Sequence, residues 1–383
     1  MTADDIFKKL IHASENPRQT VEDYIKRSGK KAIGCTPIYA PAELVYAAGM
    51  HPVGLWGGSP AIVNAKRFFA PFICSIMQAV LEYGMNGTYD ILSGIITSSP
   101  CDSLKNTGQS LRFATNITVM GISHPLHRKE DFGIRFLKSE YSKVARKLEE
   151  IAGQKITDKN LYNAIEVFNS HRQTMREFDE TAALYTAVVT PKRRHAVMKS
   201  AHYMDRQEHM ELVKELIKQI KQAPSKAAPG FKVVISGIMY DGGDLLDILE
   251  NNKVSIVGDD LSQETRQFAV DCPLTHPDPL ECLARYWGDM CPDSVVFDYD
   301  RMARGKRLKE LALARKADGV IFAAMKFCEP EEYDFVMVKK YLEQNKIPLL
   351  QIEVDQQVKE NQSINTRVQA FTEMLAHSAE AKG

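Results

Sequence analysis

Twice along the chain, short unbroken apolar runs bounded by turn residues alternate with helical patterns, and between these two zones the alternation stops. Apolar runs of strand length mark strands covered on both faces. Strands that alternate with helices pair in parallel. The first zone offers Lys31–Cys35, Pro52–Trp56, Ile91–Thr97 and Ile117–Ile122 as strands, with helical patterns over Ala42–Gly49 and Phe68–Tyr83. The second offers Lys232–Ser236, Val254–Val257, Ser294–Phe297, Gly319–Met325 and Pro348–Val354, with a closing helix over Thr366–Ala376. Between them, Ile134–Ala152, Lys159–Ala187, Pro191–Met204 and Arg206–Gln222 carry helical periods and no strand. Pro224, Pro229 and Gly230 mark a linker. The expected fold class is α/β: two Rossmann-like or flavodoxin-like parallel-sheet domains with a helical region between them. The expected boundaries are an N-terminal helical segment 1–30, a first α/β domain 31–132, a helical region 133–225 and a second α/β domain 226–383.

The 383 residues exceed what one ordinary core accommodates. Lys plus Arg and Asp plus Glu are 49 each, so charge gives no argument for nucleic acid or an anionic membrane. No apolar run reaches the roughly 18 residues of a membrane span. The start, MTADDIFKKLIHASEN, lacks the apolar centre of a signal peptide, and the expected location is the cytoplasm. Seven cysteines, an odd number, argue against a disulfide framework. Core thiols, metal ligands or a nucleophile remain.

Two stretches share one design. GIITSSPC (Gly94–Cys101) and GVIFAAMKFC (Gly319–Cys328) are each a buried strand, a short turn and a cysteine, one in each zone. Ligands of open parallel sheets bind beyond the carboxyl ends of the strands, and both thiols occupy that place. Asp102 and Ser103 follow Cys101 and are candidates to cap a helix, whose N-terminus would stabilise a thiolate. Buried structural thiols are the plain alternative for both. Cys74 has an apolar helical surround and reads as core, as does Cys282; Cys272 and Cys291 each precede a proline in loops; Cys35 ends the first strand. No C-x-x-C, ferredoxin run, G-x-G-x-x-G or Walker loop is present. His124 and His127 read as solvated loop residues. The acid clusters Asp259–Asp260 and Glu329–Glu332 read as solvated faces or helix starts.

Several stretches together carry a resemblance over nearly the whole chain. They are KKAIGCTPIYAPAELVYAAGMHPVGLWGG, FFAPFICSIMQ around Cys74, PCDSLKNTGQ around Cys101, DDLSQETRQF from Asp259, MKFCEPEEYDF around Cys328, IEVDQQ from Ile352 and NTRVQAFTEM from Asn365. The chain resembles the β subunits of (R)-2-hydroxyacyl-CoA dehydratases, a group within the benzoyl-CoA reductase superfamily. The resemblance implies a [4Fe–4S] cluster on Cys74, Cys101 and Cys328, which leaves one iron without a cysteine ligand. It implies water elimination from a 2-hydroxyacyl-CoA to an enoyl-CoA. The β hydrogen of that substrate is not acidic. One electron on the thioester carbonyl gives a ketyl radical anion, which expels the α-hydroxyl and makes the β hydrogen acidic. The electron is then recovered. The resemblance further implies a homologous α subunit, to which substrate binding belongs, and an ATP-dependent iron–sulfur activator, with the β cluster relaying electrons. Flavin occurs with some relatives, and no motif for it is legible here. Ser99, Thr36 and Lys326 neighbour the expected crevice.

Two departures bear on the subfamily. Some relatives have a further cysteine soon after the position of Cys101, where this chain reads DSLKNTGQ. The family's Tyr/Trp-Asp-Tyr-Pro stretch is here EEYDFVM. Three other readings compete: a benzoyl-CoA-type reductase subunit, a cluster-free small-molecule-binding protein, and an electron-transfer module.

Overall fold

The unbroken apolar runs form parallel strands. The computed structural model describes residues 1–380 except Ile38, Ser225, Gly242, Gly243, Pro292, Asp293, Phe297 and 359–361, with the backbone alone at Ala379 and Glu380. Helices α1 (Ala3–Glu15) and α2 (Pro17–Ser28) lead into strands β1 (Ala32–Cys35) and β2 (His51–Gly54), joined by α3 (Ala42–Ala47). Helix α4 (Ser75–Met85) precedes β3 (Leu92–Thr97), and α5 (Asp102–Ala114) precedes β4 (Val119–Gly121). Four helices follow: α6 (Asp131–Ala152), α7 (Asp158–Leu184), α8 (Pro191–Ser200) and α9 (Arg206–Ile220). The second alternating zone holds β5 (Phe231–Gly237), α10 (Leu245–Asn251), β6 (Val254–Leu261), α11 (Pro279–Asp289) and α12 (Ala303–Ala314). It ends with β7 (Gly319–Met325), α13 (Glu329–Gln344), β8 (Leu349–Val354) and α14 (Gln362–Glu380).

The strands make two four-stranded parallel sheets, ordered β2-β1-β3-β4 and β6-β5-β7-β8. The two orders are the same pattern, so the echo between GIITSSPC and GVIFAAMKFC reflects equivalent strands, β3 and β7. Each order matches the first four strands of a flavodoxin-like sheet, and each reverses direction beside its first strand, β1 or β5. Every residue of β7 is buried, which explains the run's lack of polar alternation.

The N-terminal helices are set by local chemistry. Thr2 and Asp5 form a capping box on α1. Ile6, Phe7 and Leu10 then join Phe178, Val197, Val213 and Leu216 in an apolar cluster separate from the sheets. Burying each such side chain contributes about 1.5–3 kcal/mol, so α1 is held by tertiary contacts more than by helix propensity. No helix among the described residues is long and apolar enough to cross a membrane.

Three expectations need correction. The helix expected over Phe68–Tyr83 begins only at Ser75, after a short 3-10 turn at Ala65–Arg67. Pro71 disfavours helix in the residue before it. Glu82 accepts hydrogen bonds from the N–H groups of Val63, Asn64 and Ala65 (3.0, 2.7 and 2.9 Å), holding the preceding loop against α4. The strand expected at Ser294–Phe297 shrinks to a single bridge at Val296, and Phe297 lies outside the described residues. Strand β6 runs past Val257 to Leu261 and carries Asp259 and Asp260 fully inside. They are not a solvated face, because arginines distant in sequence neutralise them.

The two sheets meet at their carboxyl edges through Gln356, which follows β8. Its Nε2 donates to the Trp56 carbonyl (3.0 Å), and its Oε1 accepts from Gly58 N–H (3.3 Å). Its own N–H donates to Ser75 Oγ (3.2 Å). Gln357 Nε2 adds a bond to the Gly58 carbonyl (3.2 Å).

Candidate functional site

Cys74, Cys101 and Cys328 share one structural position. Each is the residue before the first turn of a helix, α4, α5 or α13, and none of the three side chains caps its own helix. Cys101 and Cys328 follow β3 and β7 by a few residues, as expected. Cys74 is not a mid-helix core residue: it ends the Pro71 loop and starts α4. The Asp102 expected to cap α5 is instead its first residue, one place after Cys101.

The three thiols occupy one neighbourhood. Burial pushes the Cys74 thiol up to about 12, against the N–H groups of Met77 and Ile76 that face its sulfur, and a charged Cys101 raises it further. Burial also raises Cys328, followed by the Glu331 carboxylate and then by charge on Cys74 and Cys101, while the Glu331 N–H acts in the opposite sense. Cys101 and Cys328 are partly exposed. Among the described residues, no three His, Cys, Asp or Glu side chains stand close enough to form a metal-holding group.

These residues fit an anionic iron–sulfur cluster on two grounds. Helix N-termini carry positive partial charge and free N–H donors, and each of the three cysteines stands at one. Three neighbouring thiols that repel one another when ionised are held deprotonated together by cations among them.

What fixes the distances is a set of bonds that the sequence did not announce. Ser75 Oγ donates to Met325 Sδ (3.4 Å), which joins the start of α4 to the end of β7. Met325 N–H donates to Glu331 Oε2 (2.8 Å), fastening the first turn of α13 under the same strand end. Glu331 is not a solvated acid: it is fully buried, burial pushes its carboxyl up to about 7, and Arg304 works against that rise. Arg304 also donates to Asp260 Oδ2 (3.1 Å) and Ser236 Oγ (3.0 Å). Asp260 is held well below the usual carboxylate range: burial opposes its charge, and Arg266, Arg307 and Arg304 outweigh it. Phe327, immediately before Cys328, has φ +62°. A bulky residue in the left-handed region is strained, so the turn presenting Cys328 is over-determined by its surroundings. The DDLSQETRQF and MKFCEPEE stretches held the signal for this network in their dense pairing of acids with Arg266, but not the partner Arg304.

The remaining candidates are placed elsewhere. Cys35 ends β1 as expected, but it is buried with Glu43 and Arg206 as its charged neighbours, and burial pushes it up to about 12. Cys272 and Cys282 are core. The Thr36 hydroxyl pairs with Ser98 Oγ (3.2 Å) across the ends of β1 and β3, and Ser99 Oγ accepts from His124 N–H (3.2 Å). Lys326 N–H donates to the Val354 carbonyl (2.9 Å). His124 is half-buried and not fully solvated. Burial lowers it to about 4, its Nε2 meets the Tyr39 carbonyl (3.0 Å), and its ring packs on Trp287. His127 is exposed and contacts Tyr299 (2.5 Å).

Comparison with known proteins shows the family of the chain. The family model for the D-component of 2-hydroxyglutaryl-CoA dehydratase matches residues 37–375. The chain is 43% identical over 375 residues to an (R)-phenyllactyl-CoA dehydratase beta subunit of Clostridium sporogenes, covering 97% of this chain and 99% of that one. It is 40% identical to the lactoyl-CoA dehydratase subunit beta of Anaerotignum propionicum (97% and 98% covered). It is 36% identical to the (R)-2-hydroxyglutaryl-CoA dehydratase subunit beta of Acidaminococcus fermentans (98% and 100%). With the family match spanning residues 37–375 and these relatives 36–43% identical over nearly the whole chain, the chain belongs to the 2-hydroxyglutaryl-CoA dehydratase D-component family.

Proposed function

We propose that this chain is the β subunit of an iron–sulfur (R)-2-hydroxyacyl-CoA dehydratase. The observation that carries the reading is the placement of Cys74, Cys101 and Cys328 at three helix starts in one neighbourhood. It is joined to 36–43% identity with dehydratase beta subunits over nearly the full chain.

In the reaction, the substrate loses its α-hydroxyl as hydroxide and a β hydrogen as a proton, which together make water and leave an enoyl-CoA. A bound [4Fe–4S] cluster supplies one-electron chemistry at a potential set by hydrogen bonds to sulfur and by burial. This chain's residues supply the surroundings. Cys74, Cys101 and Cys328 would hold three irons. The first-turn N–H groups of α4 and α13 would stabilise negative charge on the sulfurs. The Ser75–Met325 and Met325–Glu331 bonds keep the ligand-bearing helix starts at fixed spacing. Substrate binding and the proton transfers belong, in this reading, to a homologous α partner, and the first electron comes from an ATP-dependent activator acting in the cytoplasm.

The test is iron and acid-labile sulfide per chain, with the visible spectrum, on anaerobically purified protein and its Cys328→Ser variant. About four of each is expected in the parent, with loss in the variant. Dehydratase activity is then expected on adding an α subunit and an activator. No iron in anaerobic protein produced with its partner would return the three thiols to the core.

A further inference from the structure

Two buried hydrogen-bond donors without acceptors belong to the wall of one cavity. The cavity, about 90 Å³, lies beyond the carboxyl end of β1, with Cys35, Trp56, Phe168, Arg172, Arg206 and Trp287 in its wall. Among the described residues, no hydrogen bond or ion pair involves the Arg206 guanidinium, and its Nε is buried with no acceptor. It lies over the Phe168 ring, 4.7 Å from the centroid. Trp287, 4% exposed, likewise has a buried Nε1–H with no acceptor.

The charge of the wall is unbalanced by one cation. Arg172 is paired with Glu43. His171 and His202 add no charge: burial lowers His171 well below its ordinary value and His202 to about 3. Their Nε2 atoms are occupied by His209 Nδ1 and the Gln263 carbonyl, each at 2.9 Å. Glu43 and Asp205 favour the Arg206 charge from a distance, but among the described residues neither pairs with its guanidinium. Buried polar groups are kept where something satisfies them.

We propose that this cavity binds a small monocarboxylate, its oxygens on the Arg206 guanidinium and the Trp287 indole N–H and its carbon chain against Phe168 and Trp56. Size and charge select that class. At ~30 Å³ per water, the space corresponds to about three waters, which suits a carboxylate on a short carbon chain. One negative charge balances Arg206. A phosphate dianion would leave a second charge buried without a partner. Water alone would meet the donors but not the charge. The proposal does not depend on the iron–sulfur reading.

The chain's two tryptophans, Trp56 and Trp287, both line the cavity, so intrinsic fluorescence reports on it directly. The experiment titrates full-length protein with sodium propionate at constant ionic strength, against sodium chloride and sodium phosphate, with the thermal midpoint as a second readout. A saturable fluorescence change and a rise in midpoint are expected with propionate alone. Binding should weaken at least tenfold in Arg206→Gln and several-fold in Trp287→Phe, which retains Trp56 as reporter. No saturable response to propionate, an equal response to phosphate, or unaltered binding in Arg206→Gln would overturn the proposal. If Arg206→Gln does not fold, Trp287→Phe decides, and unaltered binding there overturns it.

Discussion

Ser75 and Met325 meet across the junction of the two sheets, hydroxyl to thioether sulfur at 3.4 Å, one residue past Cys74 and three before Cys328. The same hydroxyl accepts the buried Gln356 N–H. Ser75→Ala would leave that N–H without an acceptor, a loss of about 1–3 kcal/mol. Denaturant unfolding should show a lower midpoint with an unchanged slope. Because the hydroxyl also spaces two proposed ligands, iron should leave the variant faster under a chelator. An unchanged rate of loss would mean that the junction does not govern the site.

Cysteine variants separate ligands from core. Cys282 is fully buried in α11, with its thiol on the His276 carbonyl (3.4 Å). Cys282→Ala should cost about 1 kcal/mol and leave iron content unaltered. Cys101→Ala, at a partly exposed position, should abolish or reduce iron binding with little loss of stability. The reverse pattern would reassign both residues.

Arg194, on α8, is the hub of a buried charge network that reaches α7, β6 and the turn after β6. It pairs with Asp259, Glu264 and Asp179, and His195 Nδ1 meets Glu264 (2.8 Å). Burial pushes Asp259 up to about 6, with Arg194 holding it down and Glu264 pushing it further up. Arg194→Met would leave these acids buried without their cation, costing about 3–5 kcal/mol. Arg193→Met, an exposed-side neighbour paired with Asp4, should cost under about 1 kcal/mol. Parallel unfolding curves of the two variants check the contrast.

Acid should unfold the protein well above the carboxylate range. Burial lowers His51 and His124 to about 4, His202 and His209 to about 3, and His171 further below its ordinary value. These groups ionise in the unfolded chain near 6.5 but stay neutral in the folded one. Their contribution is therefore complete above about 6.5 and is lost as pH falls toward 4 and 3, at up to about 1.4 kcal/mol per pH unit for each histidine. His195 acts in the opposite sense: burial disfavours its charge, but hydrogen bonds to Asp241 and Glu264 raise it overall. Asp259 and Glu331, also raised, oppose the trend between about 4 and 6 and between about 4.5 and 7. These three opposing groups leave the five histidines dominant. Unfolding free energy should fall between pH 7 and 5, and a rise over that range would contradict the burial of these rings.

What could be read from the sequence followed the range of the interactions involved. Strand β7 runs from Gly319 to Met325, the whole of its apolar run, because seven buried residues need no distant partner to explain them. Cys101 and Cys328 were placed correctly because strand, turn and cysteine lie within one short stretch. Cys74 was misplaced because Glu82, eight residues later in sequence, organises the loop before it. Asp259 and Asp260 looked solvated because their counter-charges come from Arg194 and Arg304, some 65 and 44 positions away. His124 looked exposed because Trp287, from the other half of the chain, covers it. The cavity at Arg206 had no local motif at all. It arises where β1, α7, α9 and α11 come together.

Gln356 joins partners that stand 300 and 298 positions before it in the chain. The order of synthesis gives that bond a further meaning. A nascent chain that has reached the end of α13 already contains every strand but β8 and all seven cysteines, yet the amide that clamps Trp56 and Gly58 has not been made. Closing a loop of that length costs entropy that rises only slowly with its size, so the clamp forms readily once its residue exists, and cannot form earlier. The junction is thus one of the last features of the molecule to be completed, and a chain cut short before Leu349 would carry both halves of the thiol neighbourhood without the bond that holds them in register.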